Sequence, residues 1–495
     1  MRQNPNLYEI NTRIFIRRLS EKYGRHLMLA DIPRDEWGKL AHLGFDYIWL
    51  MGVWRRSQAS RQEALSTAFL RQRYDATLPG WTDADVGGSP YAIVEYTLDP
   101  TLGVPGDIIR TRSQLHELGM QLILDFVPNH LARDHAWTHS HPEWFVRGEG
   151  KDREAHPERF FSPDGEIYLA HGRDPYFPPW TDTAQVNFFS VASRQAMLNE
   201  LLHIAEVADG VRCDMAMLAL NSVFQRIWGD VIKEQPPQEE FWAEAITQVK
   251  QKYKGFLFLA EAYWGLETEL QKLGFNFTYD KSFYDHLVSS PPQDIQNYLR
   301  KDAVYESHHI HFLENHDEPR AVTTLGRERS LAAAIIMATI PGMHLFYDGQ
   351  LEGKKVHPPI QLVREPDEPE DIAIKEFYQL LLEICRDSLF HEGVWALLEV
   401  GEAWPGDTKY HNLLAWSWQQ ERQLKLVVVN YSGAPAQGWL RMPEIRSDAE
   451  RIVLRDELTA AFYEHTSNEL RQKGLYVSLC PWQAHIMTLV PAANS

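Results

Sequence analysis

Four short apolar runs follow one another along the chain, and each ends on a carboxylate or beside one. They are Asp125-Phe126-Val127-Pro128-Asn129-His130, Gly210-Val211-Arg212-Cys213-Asp214, Phe258-Leu259-Ala260-Glu261 and Phe312-Leu313-Glu314-Asn315-His316-Asp317. Near-continuous apolar runs of this length read as strands buried on both faces, and strands of that kind belong to parallel sheets covered by helices. Charged groups are tolerated there only where the strands emerge, so the pattern predicts strand C-termini converging on one acidic site.

The rest of the chain fits such a sheet. Strand-like runs occur at 8–15, 45–51, 121–126, 210–214, 255–261, 275–279, 309–315 and 344–347. Amphipathic stretches with apolar residues at three-to-four spacing lie between them, for example at 34–43, 107–118, 193–207 and 330–340. Eight strand–helix units close naturally into a (β/α)8 TIM barrel. The gap between the third and fourth strands is far longer than one helix needs. It is rich in Pro, His, Asp and Trp (Trp137, Trp144, Trp180), which predicts a loop-rich subdomain at the rim of the acidic face. After an acidic, Pro-rich segment at 364–371 and a helix at 372–386, the pattern turns to short alternating strands at 413–418, 424–430, 451–454 and 476–479. These predict a separate antiparallel β-sandwich. The expected domains are a barrel over 1–130 and 190–388, an inserted subdomain over 131–189, and a C-terminal sandwich over 389–495.

Charge and composition narrow the partners. The chain carries 68 acidic against 49 basic residues, a net charge of -19, which opposes phosphate backbones and anionic membranes. Neither nucleic acid nor membrane is expected as a partner. No apolar stretch of signal-peptide length follows Met1-Arg2-Gln3-Asn4-Pro5, and no run of about 18 apolar residues occurs, so a cytoplasmic location is expected. The three cysteines, Cys213, Cys385 and Cys480, lack metal-ligand spacing and read as buried small hydrophobes. The paired His308 and His309 read as structural. The oligomeric state is not fixed by these features.

Together with Gly88-Ser89-Pro90-Tyr91, Asp99-Pro100-Thr101-Leu102-Gly103 and the late run from Pro341 to Gly349, the four segments resemble the ordered signature regions of the alpha-amylase family, glycoside hydrolase family thirteen. The resemblance implies a retaining enzyme acting on alpha-glucosidic bonds of malto-oligosaccharides or related alpha-glucans, with no cofactor. It assigns Asp214 as nucleophile, Glu261 as general acid/base, and Asp317 to gripping sugar hydroxyls and stabilising an oxocarbenium-like transition state. Retention needs carboxyl groups about 5 Å apart, and neighbouring charge with partial burial should keep Glu261 protonated at rest. Arg212 lies two residues before Asp214, so on a strand both side chains share a face. The resemblance also implies substrate-binding roles for Tyr91, as a stacking ring, and for His130 and His316. Trp264, just after Glu261, is the expected surface for the leaving-group sugar.

Two departures bear on function. In calcium-dependent members the second segment continues with a lysine and a histidine, the latter giving a backbone carbonyl to a structural calcium. Here the continuation is Met215-Ala216-Met217-Leu218, so no metal is expected there, and Asn129 is expected to hold the end of the third strand. Should calcium or magnesium bind, the inserted subdomain or a loop such as that near Asp83 and Asp85 is the candidate. The stretches Gly88 to Ile93, His135 to Phe145 and Leu273-Gly274-Phe275 are similar to maltosyltransferases that use maltose-1-phosphate. Hydrolysis is therefore the leading reading, with glucosyl or maltosyl transfer or phosphorolysis through the same intermediate as the alternative. A catalytically silent glucan-binding protein is the third, opposed by the retention of all three carboxylates.

Overall fold

A computed structural model describes residues 2–300, 307–444 and 450–490. Its centre is a closed parallel barrel. The strands are β1 (Asn6–Asn11), β2 (Tyr47–Met51), β3 (Gln121–Phe126), β4 (Gly210–Cys213), β5 (Leu257–Ala260), β6 (Phe277–Tyr279), β7 (His309–His311) and β8 (Met343–Tyr347). They hydrogen-bond in ring order β1-β8-β7-β6-β5-β4-β3-β2. Leu7, Ile48, Leu124, Val211, Leu259, Ile310 and Leu345 are all solvent-inaccessible, as strands covered on both faces require. Gly210 is a packing necessity at the start of β4, since a Cβ there would lie 2.7 Å from both Ile123 and Leu257.

All eight expected strands are present, but two stop early for identifiable reasons. The first was expected over 8–15 and ends at Asn11, whose side-chain oxygen accepts the Ile14 amide and caps a helix over Thr12–Tyr23. The seventh was expected over 309–315 and ends at His311. Beyond it, Asn315 Oδ1 accepts the amides of Asp317 (2.8 Å) and Glu318 (2.7 Å), a local turn that competes with strand pairing. The crossover helices fall at Arg34–His42, Gly106–His116, Val191–Val207 and Arg327–Thr339, within a few residues of expectation.

Between β3 and the crossover helix Val191–Val207 the chain forms short antiparallel pieces and short helices. His130–Ala132 pairs with Thr183–Gln185, and Tyr168–Ala170 pairs with both Arg147–Gly148 and Phe160–Phe161.

Past a helix at Ile372–Cys385 come β9 (Val394–Leu397), β10 (Val400–Gly401), β11 (Leu413–Gln420), β12 (Gln423–Asn430), β13 (Ala436–Leu440), β14 (Arg451–Asp456), β15 (Phe462–Thr466), β16 (Leu475–Leu479) and β17 (Ala484–Val490). They form a six-stranded sheet, β9-β11-β12-β17-β14-β15, and a three-stranded sheet, β10-β13-β16, both antiparallel. Period-two alternation divides the labour in β11. Leu413 and Ala415 face a core with Leu426, Leu440, Leu454 and Leu479 between the sheets, whereas Leu414, Trp416 and Trp418 join the barrel core. The indole N–H groups of Trp416 and Trp418 both donate to the Thr339 carbonyl, at 3.0 and 2.7 Å, fastening this sheet to the helix before β8.

Cys213 and Cys385 are buried as expected, but Cys480 is exposed. It sits in the turn before β17, where its amide donates to the Gln483 side chain. Among the described residues no helix is long and apolar enough to cross a membrane.

Candidate active site

Barrel closure brings the C-terminal ends of β1 to β8 to one face, and the polar residues of the four segments meet there. The ladder fixes their backbones. Asp214 N–H donates to the Phe126 carbonyl at 2.9 Å, Glu261 N–H to Cys213 at 3.1 Å, and Ala216 N–H back to Glu261 at 3.0 Å. Both carboxylates thus begin at the last pinned residue of a strand and project into a cavity of about 800 Å3.

Arg212 ties them together. Its Nη1 lies 2.6 Å from Asp214 Oδ1 and its Nη2 2.7 Å from Glu261 Oε2. The guanidinium is 1% exposed and is walled by the rings of Trp49, Tyr91 and Tyr279 at 5.2 to 5.6 Å. In register it sits beside Asp125 of β3, which accepts the Trp49 indole N–H at 3.1 Å and the Gly52 amide at 2.9 Å.

The third carboxylate is held differently. His316 Nδ1 lies 2.5 Å from Glu9 Oε1 of β1, and its Nε2 faces Asp317 Oδ2 at 3.0 Å and the Tyr91 hydroxyl at 2.6 Å. Burial alone would depress this imidazole, but Asp317 and Glu9 together raise it well above the ordinary histidine value. Burial likewise opposes ionisation of Asp317, yet the His316 charge brings its carboxyl down to about 2. Its side chain is 44% exposed to the cavity, an anion presented to whatever binds there.

Glu261 is set the other way. Burial pushes its carboxyl up, Arg212 pulls it down, and Asp214 and Asp317 push it up again, leaving it at about 7. It also receives the Met215 amide (2.7 Å) on Oε2 and the Tyr263 hydroxyl (2.8 Å) on Oε1. Burial raises Asp214 too, against the opposing charge and hydrogen bond of Arg212.

Of the expected residues, Tyr91, His130, Asp214, Glu261, Trp264 and Asp317 line the cavity. Arg212 and His316 do not reach its surface; they stand behind the carboxylates and set their charge. His130 packs against Trp180 with ring centroids 5.0 Å apart, and burial lowers its imidazole to about 3, so it presents a neutral ring. Trp264 adopts a left-handed backbone (φ 67°), uncommon for a bulky residue, and meets Tyr176 edge to face at 5.3 Å. Trp137 and Trp144 pack against each other away from the cavity, leaving Trp180 as the cavity-lining member of the three insertion tryptophans considered above.

Glu9, Trp49, Tyr263 and Tyr279 were missed from the sequence. Only Tyr263 carried a usable signal, an aromatic hydroxyl two residues past Glu261.

At the calcium-associated position the chain carries Met217 and Leu218, which supply no side-chain oxygen. Ala216 to Ala219 are fully buried, and the Asn129 carboxamide oxygen accepts Gln185 Nε2 at 2.9 Å, a bond to the Thr183–Gln185 strand rather than to β3. Asp85 is occupied by Arg364 at 2.8 Å and Arg17 at 3.1 Å rather than open to a metal. Among the described residues no group of three or more His, Cys, Asp or Glu side chains is arranged to hold a metal ion.

The sequence profile of the alpha-amylase catalytic domain matches residues 38–379. The alpha-amylase MalA of Haloarcula japonica is 26% identical over 357 residues, which cover 70% of this chain and 44% of that protein. The alpha-1,4-glucan:maltose-1-phosphate maltosyltransferase of Bifidobacterium longum is 23% identical over 476 residues, covering 90% of this chain and 56% of that protein. The chain thus spans about half the length of these relatives. Among solved structures, the maltogenic alpha-amylase AmyB of Thermotoga neapolitana shares the fold with a TM-score of 0.70 at 19% identity, covering 99% of each chain. With the profile matched over more than half its length, and acidic strand ends gathered at one face of a parallel barrel, the chain belongs to the alpha-amylase family.

Proposed function

We propose that the protein cleaves alpha-glucosidic bonds of malto-oligosaccharides or related alpha-glucans by double displacement with retention. The observation that carries this reading is the single Arg212 guanidinium spanning Asp214 and Glu261, which keeps the two carboxylates close enough for the roughly 5 Å spacing that retention requires. Asp214 is the nucleophile: with Arg212 favouring its anion, it attacks the anomeric carbon while Glu261 gives its proton to the departing oxygen. Glu261, then ionised, takes a proton from the incoming water or sugar hydroxyl, and the glycosyl–Asp214 bond breaks. Asp317, kept anionic by His316, grips sugar hydroxyls and stabilises positive charge developing on the ring. Tyr91, His130 and Trp264 shape the sugar subsites. The same reading divides the chain into 1–130 with 190–388, 131–189 and 389–495, the middle part walling the cleft through Phe177 and Trp180.

Hydrolysis is the leading outcome for the intermediate, and the 90% coverage by a maltosyltransferase supports transfer as the alternative. Incubation with maltotetraose, with and without phosphate, followed by chromatography separates them: shorter maltosaccharides alone indicate hydrolysis, longer ones transfer, and a phosphate-dependent sugar phosphate phosphorolysis. Early NMR spectra should show the alpha anomer released first, and a beta product would overturn retention. A walled cleft should also favour maltotriose to maltoheptaose over soluble starch, with stacking worth about 1 kcal/mol per ring. A rapid fall in starch viscosity would mean an open cleft.

Glu261 must start protonated, and its carboxyl sits at about 7. The value of kcat/KM should therefore fall about tenfold per pH unit above that pH and fall again at acid pH, where Asp214, raised by burial, takes up its proton, so long as the fold is intact. A profile flat to pH 9 would contradict the acid assignment.

A further inference from the structure

Behind the loop that carries Tyr91 lies a second cavity of about 830 Å3, lined by Arg13, Arg17, Arg55, Arg56 and Arg61, with Asp99 the one acidic side chain in its wall among the described residues. Three of these arginines are accounted for. Arg17 meets Asp85 at 3.1 Å, Arg55 meets Glu95 at 3.0 Å, and Arg61 donates to the carbonyls of Val86 (2.8 Å) and Asp83 (2.6 Å). Arg13 and Arg56 are left to share Asp99, and Asp99 is already committed. Its Oδ2 takes Arg13 Nη2 at 2.6 Å and the Arg56 backbone amide at 3.2 Å, and its Oδ1 takes the amide and hydroxyl of Thr101.

Arg56 therefore stands apart. It is 7% exposed, and its guanidinium makes one hydrogen bond, from Nη1 to the Gly88 carbonyl at 3.1 Å. Its Nε and Nη2 have no partner. Burial and the nearby Arg13 charge lower it well below the ordinary arginine value. A guanidinium out of water, with Asp99 nearby but not hydrogen-bonded to it and two donors unused, is costly, and an anion entering the cavity would answer both deficits. Gly87 leaves the approach clear, since a Cβ there would lie 2.8 Å from Arg56 Nη1.

We propose that this cavity is an anion-binding site for a phosphate-class oxyanion, free or carried on a sugar, held by Arg56 with Arg13 and Arg61. The planar fork of a guanidinium matches an oxyanion better than a halide, and the volume far exceeds what one halide fills.

Thermal unfolding at constant ionic strength tests this without reference to catalysis. Sodium phosphate should raise the wild-type Tm saturably over sodium chloride, by about 2–4 °C at a hundredfold excess over Kd, and the rise should vanish in Arg56→Met. Glucose 6-phosphate forms the second arm. A rise with that ester alone, lost in Arg56→Met, assigns the sugar-borne group, whereas an equal or larger rise with inorganic phosphate assigns the free anion. No rise over chloride with either ligand, or an undiminished rise in Arg56→Met, overturns the site. If Arg56→Met does not fold, Arg61→Gln should still raise the half-saturating concentration by about fivefold or more, and an unchanged value overturns the proposal.

Discussion

Replacing Asp214 by Asn is expected to lower kcat by about four orders of magnitude or more while leaving the circular dichroism spectrum unchanged, because it removes the covalent step and keeps a side chain of the same shape against Arg212. Glu261→Gln should cost about 10²–10⁴-fold on natural substrates, the range for loss of a positioned general acid. The two losses can be told apart. A substrate with an activated leaving group, such as a glucosyl fluoride, departs without protonation, so Glu261→Gln should recover much of its first-step rate and Asp214→Asn should recover none. Either variant keeping more than about a tenth of the wild-type rate would remove that residue from its assigned role.

What could be read from the sequence, and what could not, follows from how locally each feature is determined. The barrel strands were legible because burial on both faces forces continuous apolar runs, and the carboxylates because a charge is tolerated only where such a run ends. Strand limits were less so, since Asn11 and Asn315 end their strands through side-chain hydrogen bonds that the apolar pattern does not display. Of the C-terminal strands β9, β10, β13, β15 and β17 were not named from the sequence, β15 for a visible reason. It is an edge strand whose outer positions are exposed, so its alternation lacks an apolar half. The supporting residues of the site were the least visible. Glu9 meets His316 across 307 positions of sequence, a contact created only when β1 closes the ring beside β8. The insertion tryptophans divide between packing and cleft for the same reason: composition marks them as aromatic, but the fold decides which of them face the cavity.

The loop bearing His316 and Asp317 depends on a second buried pair, and breaking it should give a large loss of stability. Glu314 and Arg320 are each 1% exposed and meet at 2.7 Å. Glu314 also accepts the Ala321 amide at 2.6 Å, and Arg320 donates to the carbonyls of Asp348 (2.9 Å) and Val356 (3.1 Å), so the pair clamps the segment after β7 to the segment after β8. Arg320→Met strands the Glu314 carboxylate in a dry site, and losing one member of such a pair costs about 3–5 kcal/mol. The double variant Glu314→Leu/Arg320→Met strands no charge and should unfold at a higher temperature than Arg320→Met alone, even though it restores none of the lost hydrogen bonds. The pH dependence fixes the cause. Burial already raises the Glu314 carboxyl against the pull of Arg320, and without Arg320 it rises further. A group whose folded value lies above its unfolded value favours the fold when protonated and loses that contribution as pH rises through the folded value. The Tm deficit of Arg320→Met should therefore widen from pH 5 to pH 8, while that of the double variant, which lacks the raised carboxyl that costs the wild type stability as pH rises, should not widen. A deficit independent of pH would mean that Arg320 acts through packing and its carbonyl contacts rather than through the charge it neutralises.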